Sequence, residues 1–554
     1  MQPERWLVAL FQMASGSRTG RIWLAALLVL LLAAPPTSAI ADPSAAPAGL
    51  NRYVIPSGSD ASADCSLAAP CQTVQRAVAL AQPGDDIRVA GGTYTGTVFD
   101  AGIDAGITAT AIISKAIAAL SGGYSADFTT QDPQTYPTLL TASGAPGAFV
   151  LYLNETATLV DGFTLSGAAG ACSAGCGSHY EGGAVRIRGG APTLRDNRIE
   201  HNFAYQRGGG IYVADGAVAT IDSNRIDFNT VDGSGGGIYV QGANAFITNN
   251  QILSNTATFE GAGIYVEANV PAVIRNNAIG YNTATNPFSA GGGGLRTLGG
   301  NAVVTVSHND VFSNTIHGGG GGLDIGGPAV VDGNSIHHNL LQVGGWGGAL
   351  LVASLQPVTV TNNLVYDNGG SGVQVVDSVQ TSFVNNTVAA NFHIQPDSGT
   401  EADAFLIWFD SLPTGPIQMT VFNNILAGNA NCGLFFHNAP TTGITSSHND
   451  SWNNHAGQAN YCGSASPGPG DISADPLFAN AAAADYHQLP GSPVLDIGTS
   501  TQAPAHDKDC HARPLGPGFD LGAYELNPLT ARLNPALSFN VYLPLVPVSL
   551  QAIC

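Results

Sequence analysis

The sequence predicts an all-β protein built as a single-stranded, right-handed parallel β-helix, a solenoid of about 10–13 coils. A unit Gly-x-Gly-Ile-Tyr-Val stands at 208–213, 235–240 and 261–266, and its spacing sets a period of 26 to 27 residues. Asparagine pairs five residues apart follow the same period. The 70 glycines and the low charged fraction, 10%, fit many tight turns and buried strand faces. We expect a short N-terminal capping helix and a C-terminal cap.

The N-terminal segment 1–41 has the features of a secretory signal peptide. Arg18 and Arg21 precede an apolar run at 22–34, and Ala39-Ile40-Ala41 is a small-residue cleavage site. Because the segment is long for a signal peptide, we hypothesise that translation starts at Met13 rather than at Met1. A Pro/Ala-rich linker, 42–50, leads to the folded part.

Residues 51–100 are predicted to form the N-terminal cap and the first coil. Val74, Ala77, Val78 and Ala81 follow helical spacing, Thr73 is a suitable N-cap, and Pro83-Gly84 ends the pattern. Such a helix would cover the first open edge of the solenoid. Residues 101–181 alternate less regularly and are assigned to irregular coils and loops.

The regular coils span 182–463, with three short strands in each coil. We expect their asparagines to form a ladder, since an inward Asn at a turn can donate and accept along the stack. The pairs stand at 197/202, 224/229, 250/255, 277/282, 309/314, 334/339, 363/368, 386/391, 424/429 and 449/454.

Eight cysteines in an exported chain predict disulfides, although eight cysteines allow 105 pairings. Local spacing favours Cys65 with Cys71 and Cys172 with Cys176. Cys432 and Cys462 are about one repeat apart, and Cys510 would then pair with Cys554. A cysteine-based metal site is the alternative, but no paired C-x-x-C spacing occurs.

Two regions of the sequence resemble a known group of proteins. Residues 65–75 and 84–94, with the glycine and asparagine coils, resemble exported right-handed parallel β-helix proteins of the pectate-lyase-like superfamily. Residues 491–498, Arg513-Pro514 and 520–525 resemble the choice-of-anchor Q domain, which we assign to 464–526. The resemblance implies an exported, often surface-displayed protein. The tail 527–554 shows no recognisable anchor.

The formal net charge of −21 excludes a polyanion such as nucleic acid as a natural partner. No later apolar run is long enough to span a membrane. The signal-like segment and the resemblance together imply a protein secreted or displayed at a cell surface by bacterial-type export. We expect it to be a monomer that meets an extracellular polysaccharide or a cell-surface component.

Alternation places one residue of each Gly-x-Gly-Ile-Tyr-Val strand on the outside of the solenoid. Three stacked tyrosines flanked by charged residues are predicted to form an exposed platform that binds carbohydrate. The alternative is an aromatic ladder that only stabilises the sheet. We call these residues the outward column: Arg186, Tyr212, Tyr239, Tyr265, Arg296, Asp324, Leu351 and Gln374.

A second function class is a polysaccharide lyase or glycoside hydrolase. Glu181, Arg207 and Glu260 precede the glycines and lie near Arg186, so an acid pair or an arginine base is conceivable. Ion pairing between solvated turns explains the same residues. An enzyme is the less favoured interpretation, because the catalytic motifs of polygalacturonases are missing and the regular coils contain no lysine.

No cofactor is predicted with a defined site. Asp496, Asp507 and Asp520 form an acidic cluster that calcium could use, but backbone capping is the simpler explanation because their spacing fits no EF-hand loop.

Overall fold

The computed structural model describes residues 49–526, except 62–63, 104–105, 170–180, 268, 288–290, 343–346, 394–402, 411–415, 441 and 458. Within this part, three long sheets run along the chain, and nearly all their strand pairs are parallel. Sheets of 13 and 14 strands agree with the upper end of the predicted number of coils. The predicted fold class, a right-handed parallel β-helix, is confirmed.

From Ala119 onward, each coil contributes one strand to each of the three sheets. Sheet 1 contains Asn51–Val54, Asp86–Ala90, Ala119–Tyr124, Leu159–Asp161, Thr193–Arg195, Val218–Asp222, Asn244–Thr248, Ala272–Arg275, Val304–Ser307, Ala329–Asp332, Val358–Thr361, Thr381–Val384, Met419–Phe422 and Ile444–Ser447. Sheet 2 contains Gly92–Tyr94, Thr138–Thr141, Phe163–Ser166, Arg198–Glu200, Arg225–Asp227, Gln251–Leu253, Ala278–Gly280, Asp310–Phe312, Ser335–His337, Leu364–Tyr366, Thr387–Ala389, Ile425–Ala427 and Asp450–Trp452. Sheet 3 contains Val98–Asp100, Ile107–Ile113, Phe149–Asn154, Val185–Arg188, Ile211–Ala214, Ile238–Gln241, Ile264–Glu267, Leu295–Leu298, Leu323–Gly326, Gly348–Val352, Ser371–Val376, Phe405–Trp408, Leu434–His437 and Tyr461–Gly463.

A fourth, narrow sheet lies between sheets 2 and 3 in the middle coils, which the sequence did not predict. Sheet 4 contains Phe203–Ala204, Thr230–Val231, Thr256–Ala257, Thr283–Ala284, Thr315–Ile316 and Leu340–Leu341. Elsewhere in the described ranges there are one α-helix, two 3₁₀ turns and an antiparallel hairpin: Val74–Leu80, Asn454–Gly457, Ala481–Ala483, and Phe478–Asn480 with Asp485–Gln488.

The predicted asparagine ladders are present in the regular coils, from Asn197 and Asn202 to Asn449 and Asn454. Asn229 shows the pattern: its Nδ2 donates to the Ile199 carbonyl at 2.8 Å and to Asn255 Oδ1 at 3.0 Å. Its Oδ1 accepts from the backbone and side chain of Asn202. Each buried amide therefore links the coil before it to the coil after it, and satisfies backbone groups that the turns leave unpaired. One ladder ends on a carboxylate, since Asp471 Oδ1 accepts from the Asn449 backbone at 2.8 Å.

The repeated glycines have two separate structural roles. Gly235 adopts φ 73°, a left-handed conformation that other residues resist. Gly237 is needed for close packing, because a Cβ there would lie 2.6 Å from the Gly263 carbonyl oxygen. Neighbouring coils can therefore stack closely at the turn into sheet 3.

The N-terminal helix Val74–Leu80 confirms the predicted cap. Thr73 is its N-cap and accepts a hydrogen bond from the Arg76 backbone at 3.2 Å. Lys115 stabilises the other end, since its Nζ donates to the Ala79 carbonyl at 2.8 Å and to the Ala81 carbonyl at 3.2 Å.

The segment 464–526, here called the C-terminal module, does more than cap the last coil. Only its first part continues the stack, where Ile472 donates to the Asn449 carbonyl. The rest packs sideways on sheet 2, with Tyr486 against Tyr366 at 5.2 Å between ring centroids. Asn385 and Asn423, in the turns between sheets 1 and 2, bond to the backbone of this module.

Two predicted disulfides are confirmed, Cys65–Cys71 and Cys432–Cys462. Cys510 is also disulfide-bonded. Its predicted partner, Cys554, lies outside the described residues. The proposed Cys172–Cys176 pair lies outside them as well, as do the signal peptide 1–41 and the tail 527–554. Across the described ranges, no helix is long and apolar enough to cross a membrane.

Candidate functional site

The outward column of sheet 3 is buried, so the expectation of an exposed platform is wrong. Tyr212, Tyr239 and Tyr265 are 3%, 3% and 5% exposed. The rings pack along the solenoid axis, with 4.7 Å between the ring centroids of Tyr239 and Tyr265. Long polar side chains from the next outward position and from the turns fold over the rings, which alternation alone does not reveal. Other column members are also buried: Arg186, Asp324, Leu351 and Gln374.

A hydrogen-bonded layer over these rings is centred on Gln241. Its Oε1 accepts from the Tyr212 hydroxyl at 2.7 Å and from Arg207 Nη1 at 3.2 Å. Its Nε2 donates to Glu267 Oε2 at 2.8 Å. The Tyr239 hydroxyl donates to the other oxygen of Glu267. Neighbouring polar groups satisfy one another, so the layer is a fixed surface rather than a set of freely rotating side chains.

Glu181 is held between two arginines at the edge of this layer. Arg207 Nη1 lies 2.5 Å from Glu181 Oε1, and Arg186 Nη2 lies 3.6 Å from Glu181 Oε2. The Arg207 guanidinium also lies over the Tyr239 ring, 5.4 Å from its centroid. The two predicted candidates Glu181 and Arg207 are thus brought together as an ion pair on a tyrosine face.

Arg296 forms a second charged group, on the sheet 3 strand three coils beyond that of Tyr212. Its Nε lies 3.1 Å from Glu260, and its Nη1 donates to Asp324 Oδ2 at 2.6 Å. Burial raises the pKa of Asp324 to about 7, and the neighbouring Arg296 opposes this rise. Gly291 leaves room for the pair, since a Cβ there would lie 1.6 Å from Arg296 Nη1.

Burial also keeps the column tyrosines protonated. It raises the pKa of Tyr265 to about 12, and raises the pKa of Tyr212 and Tyr239 as well. At neutral pH these phenols are therefore hydrogen-bond donors and not bases.

The exposed aromatic rings of this region lie in the turns leading into sheet 3. Tyr205 and Phe259 are 49% and 45% exposed and flank a surface cavity of about 470 Å³. Arg207 and Asp232 also line it, and Tyr239 forms part of its wall. We call this cavity the aromatic cleft, lined by Tyr205, Gln206, Arg207, Asp232, Gly233, Ser234, Tyr239 and Phe259.

Sequence reasoning missed Tyr205 and Phe259. Both stand between a ladder asparagine and the first glycine of the next strand, where the repeat carries polar or small residues such as Asp232 and Gly233. An aromatic residue at a turn position with no core to pack into is the signal that could have indicated them.

The geometry gives no support to Glu181 and Glu260 as an acid pair for hydrolysis. They stand at the same turn position three coils apart, which corresponds to about 14 Å at ~4.8 Å per coil. Paired carboxylates of glycosidases are closer, roughly 5–9.5 Å apart. Each glutamate is also ion-paired with an arginine. The catalytic roles stay predictions.

The carboxylates of the acidic cluster in the C-terminal module accept hydrogen bonds from backbone amides. Asp507 Oδ1 accepts from the His511 amide at 2.7 Å, and Asp520 accepts from the amides of Asp496 and Leu526. In the described part of the chain, no group of three or more His, Cys, Asp or Glu side chains is arranged to hold a metal ion. Calcium binding by Asp496, Asp507 and Asp520 stays a prediction without structural support.

The coils match a known protein family. A model of the family described as "right handed beta helix region" matches residues 150–320 and 298–451, which together exceed half of the 554 residues. The chain belongs to this family. The matched residues include all the coils that carry the aromatic cleft and the outward column of this β-helix protein.

Solved structures similar to this β-helix protein have low sequence identity to it. A pectate lyase, Pel9A, is 16% identical, with a TM-score of 0.40 over 86% of this chain and 96% of its own. XylC in complex with xylose is 10% identical, with a TM-score of 0.40 over 86% and 98%. The A-module of the mannuronan C-5 epimerase AlgE4 of Azotobacter vinelandii is 14% identical, with a TM-score of 0.36 over 70% and 88%. A comparison with curated proteins gives no match.

Proposed function

We propose that this chain is an exported β-helix protein that binds extracellular polysaccharide in the aromatic cleft. The observation that carries the proposal is the pair of exposed rings, Tyr205 and Phe259, on either side of a cavity lined by polar groups. Carbohydrate sites combine aromatic surface with a few fixed polar groups, because sugars present both C–H faces and hydroxyls. Export is proposed from the signal-like segment 1–41 and from the two disulfides.

The spacing of the two rings suits a chain molecule. Tyr205 and Phe259 belong to coils two steps apart, so their backbones are separated by about 10 Å at ~4.8 Å per coil. Two rings at this distance would contact different sugar units of one oligosaccharide. The same cavity offers Arg207 as a donor held by Glu181 and Gln241, and Asp232 as an exposed acceptor.

The cleft has a rigid base, which favours binding. Arg207 is held by Glu181 and Gln241, and Tyr239 is held by Glu267. Groups that are already ordered in the free protein lose little entropy when a ligand binds.

Alanine variants test this proposal. Tyr205→Ala and Phe259→Ala should each lower the affinity for a bound oligosaccharide roughly tenfold, as expected for aromatic contacts at a binding site. The measurement is isothermal titration calorimetry with ligands found on a glycan array. The matched control is Phe246→Ala, which removes a ring that is also exposed but lies on sheet 1.

The alternative function, a polysaccharide lyase or hydrolase, is distinguished in the same samples. Release of unsaturated or reducing ends would contradict a binding protein and support catalysis. Equal affinity of Tyr205→Ala, Phe259→Ala and wild type would contradict the location of the site.

A further inference from the structure

Around the aromatic cleft, carboxyl groups outnumber arginines. The arginines of this surface are Arg186, Arg207 and Arg296. The carboxyl groups are Glu181, Asp232, Glu260 and Glu267, with the buried Asp324, whose pKa of about 7 leaves it only partly ionised at neutral pH, as a fifth. No net positive field is therefore available for an anionic ligand.

Arg207 is the only cationic side chain that lines the cleft, among the residues described, and its charge is already compensated. Glu181 lies 2.5 Å from Arg207 Nη1, and Gln241 accepts from the same nitrogen. A ligand carboxylate would have to displace Glu181 or share the guanidinium with it. Either arrangement places two negative charges within a few ångströms, which is unfavourable at this partly buried site.

Asp232 adds a second obstacle to an anionic ligand. It is exposed, lines the same cavity, and stands in the coil next to Arg207. A carboxylate accepts hydrogen bonds from sugar hydroxyls but repels another carboxylate. The whole chain, with a net charge of −21, repels a polyanion at longer range as well.

We propose that the aromatic cleft selects neutral polysaccharides and rejects polyuronates, with Glu181 and Asp232 as the residues that set this selectivity. This inference rests on the proposed function, because it assumes that the cleft binds carbohydrate. It adds the chemical class of the ligand. Hydroxyl groups of a neutral sugar satisfy Asp232 and the outer Arg207 nitrogens without introducing charge.

The experiment compares hexasaccharides that differ in charge. The probes are neutral hexamers of glucose, xylose and mannose, and acidic hexamers of galacturonic and mannuronic acid, titrated calorimetrically at low and moderate salt. We expect wild type to bind at least one neutral hexamer at least tenfold more tightly than any acidic one. Residual binding of an acidic hexamer should strengthen with added salt, because salt screens repulsion.

Two charge-removing variants test the assigned residues. Asp232→Asn and Glu181→Gln should each raise the affinity for an acidic hexamer by about tenfold, since each removes one nearby negative charge. Asp232 is exposed, so the first variant should fold normally. The control is Asp215→Asn, which removes a carboxylate paired with Arg188 elsewhere on sheet 3.

The outcomes separate this inference from the proposed function. If an acidic hexamer binds wild type as tightly as a neutral one, and Tyr205→Ala weakens that binding, the selectivity is overturned and the binding function stands. If Asp215→Asn raises acidic binding as much as the cleft variants do, the assignment to Glu181 and Asp232 is overturned. If no hexamer binds any of these proteins, the proposed function fails, and the selectivity fails with it.

Discussion

At the scale of single residues, a few direct contacts determine the proton affinity of the ionisable groups. Burial alone would lower the pKa of His487, but its hydrogen bonds to Asp509 at 2.8 Å and to Asp485 at 2.6 Å raise it to about 9. Lys508 behaves in the opposite way: burial lowers its pKa to about 8, while its Nζ donates to the Gly333 carbonyl. Neither effect is visible in the sequence, because the partners are distant or depend on the local turn.

Replacing His487 by glutamine should change how stability depends on pH. The folded pKa of about 9 lies above the ordinary value of 6.5, so folding favours the protonated form. Its contribution is complete below pH 6.5 and is lost as the pH rises through 9. The free energy of unfolding of wild type should therefore exceed that of His487→Gln at pH 6, by under about 1 kcal/mol because the pair is solvent-exposed.

Urea denaturation of both proteins between pH 6 and pH 9.5 measures this difference. Comparing the two proteins removes the separate contribution of Lys508, which is common to both. A difference that stays constant over this range would contradict the role assigned to Asp485 and Asp509.

At the scale of the structural element, the turn and its asparagine determine the coil. The residue before each ladder asparagine often has a left-handed backbone, as Ser254 does with φ 55° before Asn255. Such a turn leaves backbone donors and acceptors facing the interior. Asn255 Nδ2 pairs them by donating to the Ile226 carbonyl at 2.9 Å and to Asn282 Oδ1 at 3.1 Å. Because every coil needs the same turn, the asparagine recurs with the period.

Asn255→Ala should lower the free energy of unfolding by about 1–3 kcal/mol, because the Asn229 backbone and the Ile226 carbonyl lose a buried partner. Chemical denaturation monitored by circular dichroism measures the change. Gln251→Ala is the control, since Gln251 is exposed on the adjoining strand of sheet 2. Equal stability of Asn255→Ala and wild type would show that the ladder does not support the fold.

At the scale of the whole molecule, the C-terminal module braces several coils from the side. Its central contact is Arg513, whose Nη1 lies 2.6 Å from Glu525 in a fully buried ion pair. The same side chain donates to the Gly522 carbonyl at 2.9 Å, and Gly522 donates to the Asn423 carbonyl in the β-helix. One arginine therefore organises the surface that the module presents to the coils.

Arg513→Met should release the module by leaving Glu525 buried without its cation, at a cost of about 3–5 kcal/mol. Hydrogen exchange should rise in 490–526 while the coils near Asn229 keep their protection. The double variant Arg513→Met, Glu525→Leu should recover part of the loss, because no unpaired charge is left. The control Arg188→Met breaks an exposed pair and should cost under about 1 kcal/mol. Unchanged exchange in the module would contradict this account of its docking.

Much of the architecture could be predicted because a solenoid repeats its physical constraints in sequence. Gly235, Ile238 and Asn255 each meet a local requirement that recurs in every coil: a left-handed turn, an inward side chain and a buried amide. The capping helix was predictable for the same reason, since Thr73 and the spacing of its apolar residues are local signals. Local spacing led to the confirmed Cys65–Cys71 bond, and the repeat period led to the confirmed Cys432–Cys462 bond.

The site could be predicted only in part. Alternation correctly places Tyr212, Tyr239 and Tyr265 on the outside of the strand, but it does not show that Gln241 and Glu267 fold over them and bury them. Whether an outward residue is exposed depends on side chains from neighbouring coils, and their conformations are set by packing.

The sequence alone therefore determined the repeated parts of this protein: the coil, its ladders and its glycine turns. Tertiary structure alone decided where solvent and ligand can reach it. The aromatic cleft exists because Tyr205 and Phe259, which are 54 residues apart, are brought together by coil stacking. The C-terminal module lies on sheet 2 because Asn385 and Asn423 meet its backbone there. Contacts of this kind occur once in the molecule, so they leave no periodic signal in the chain.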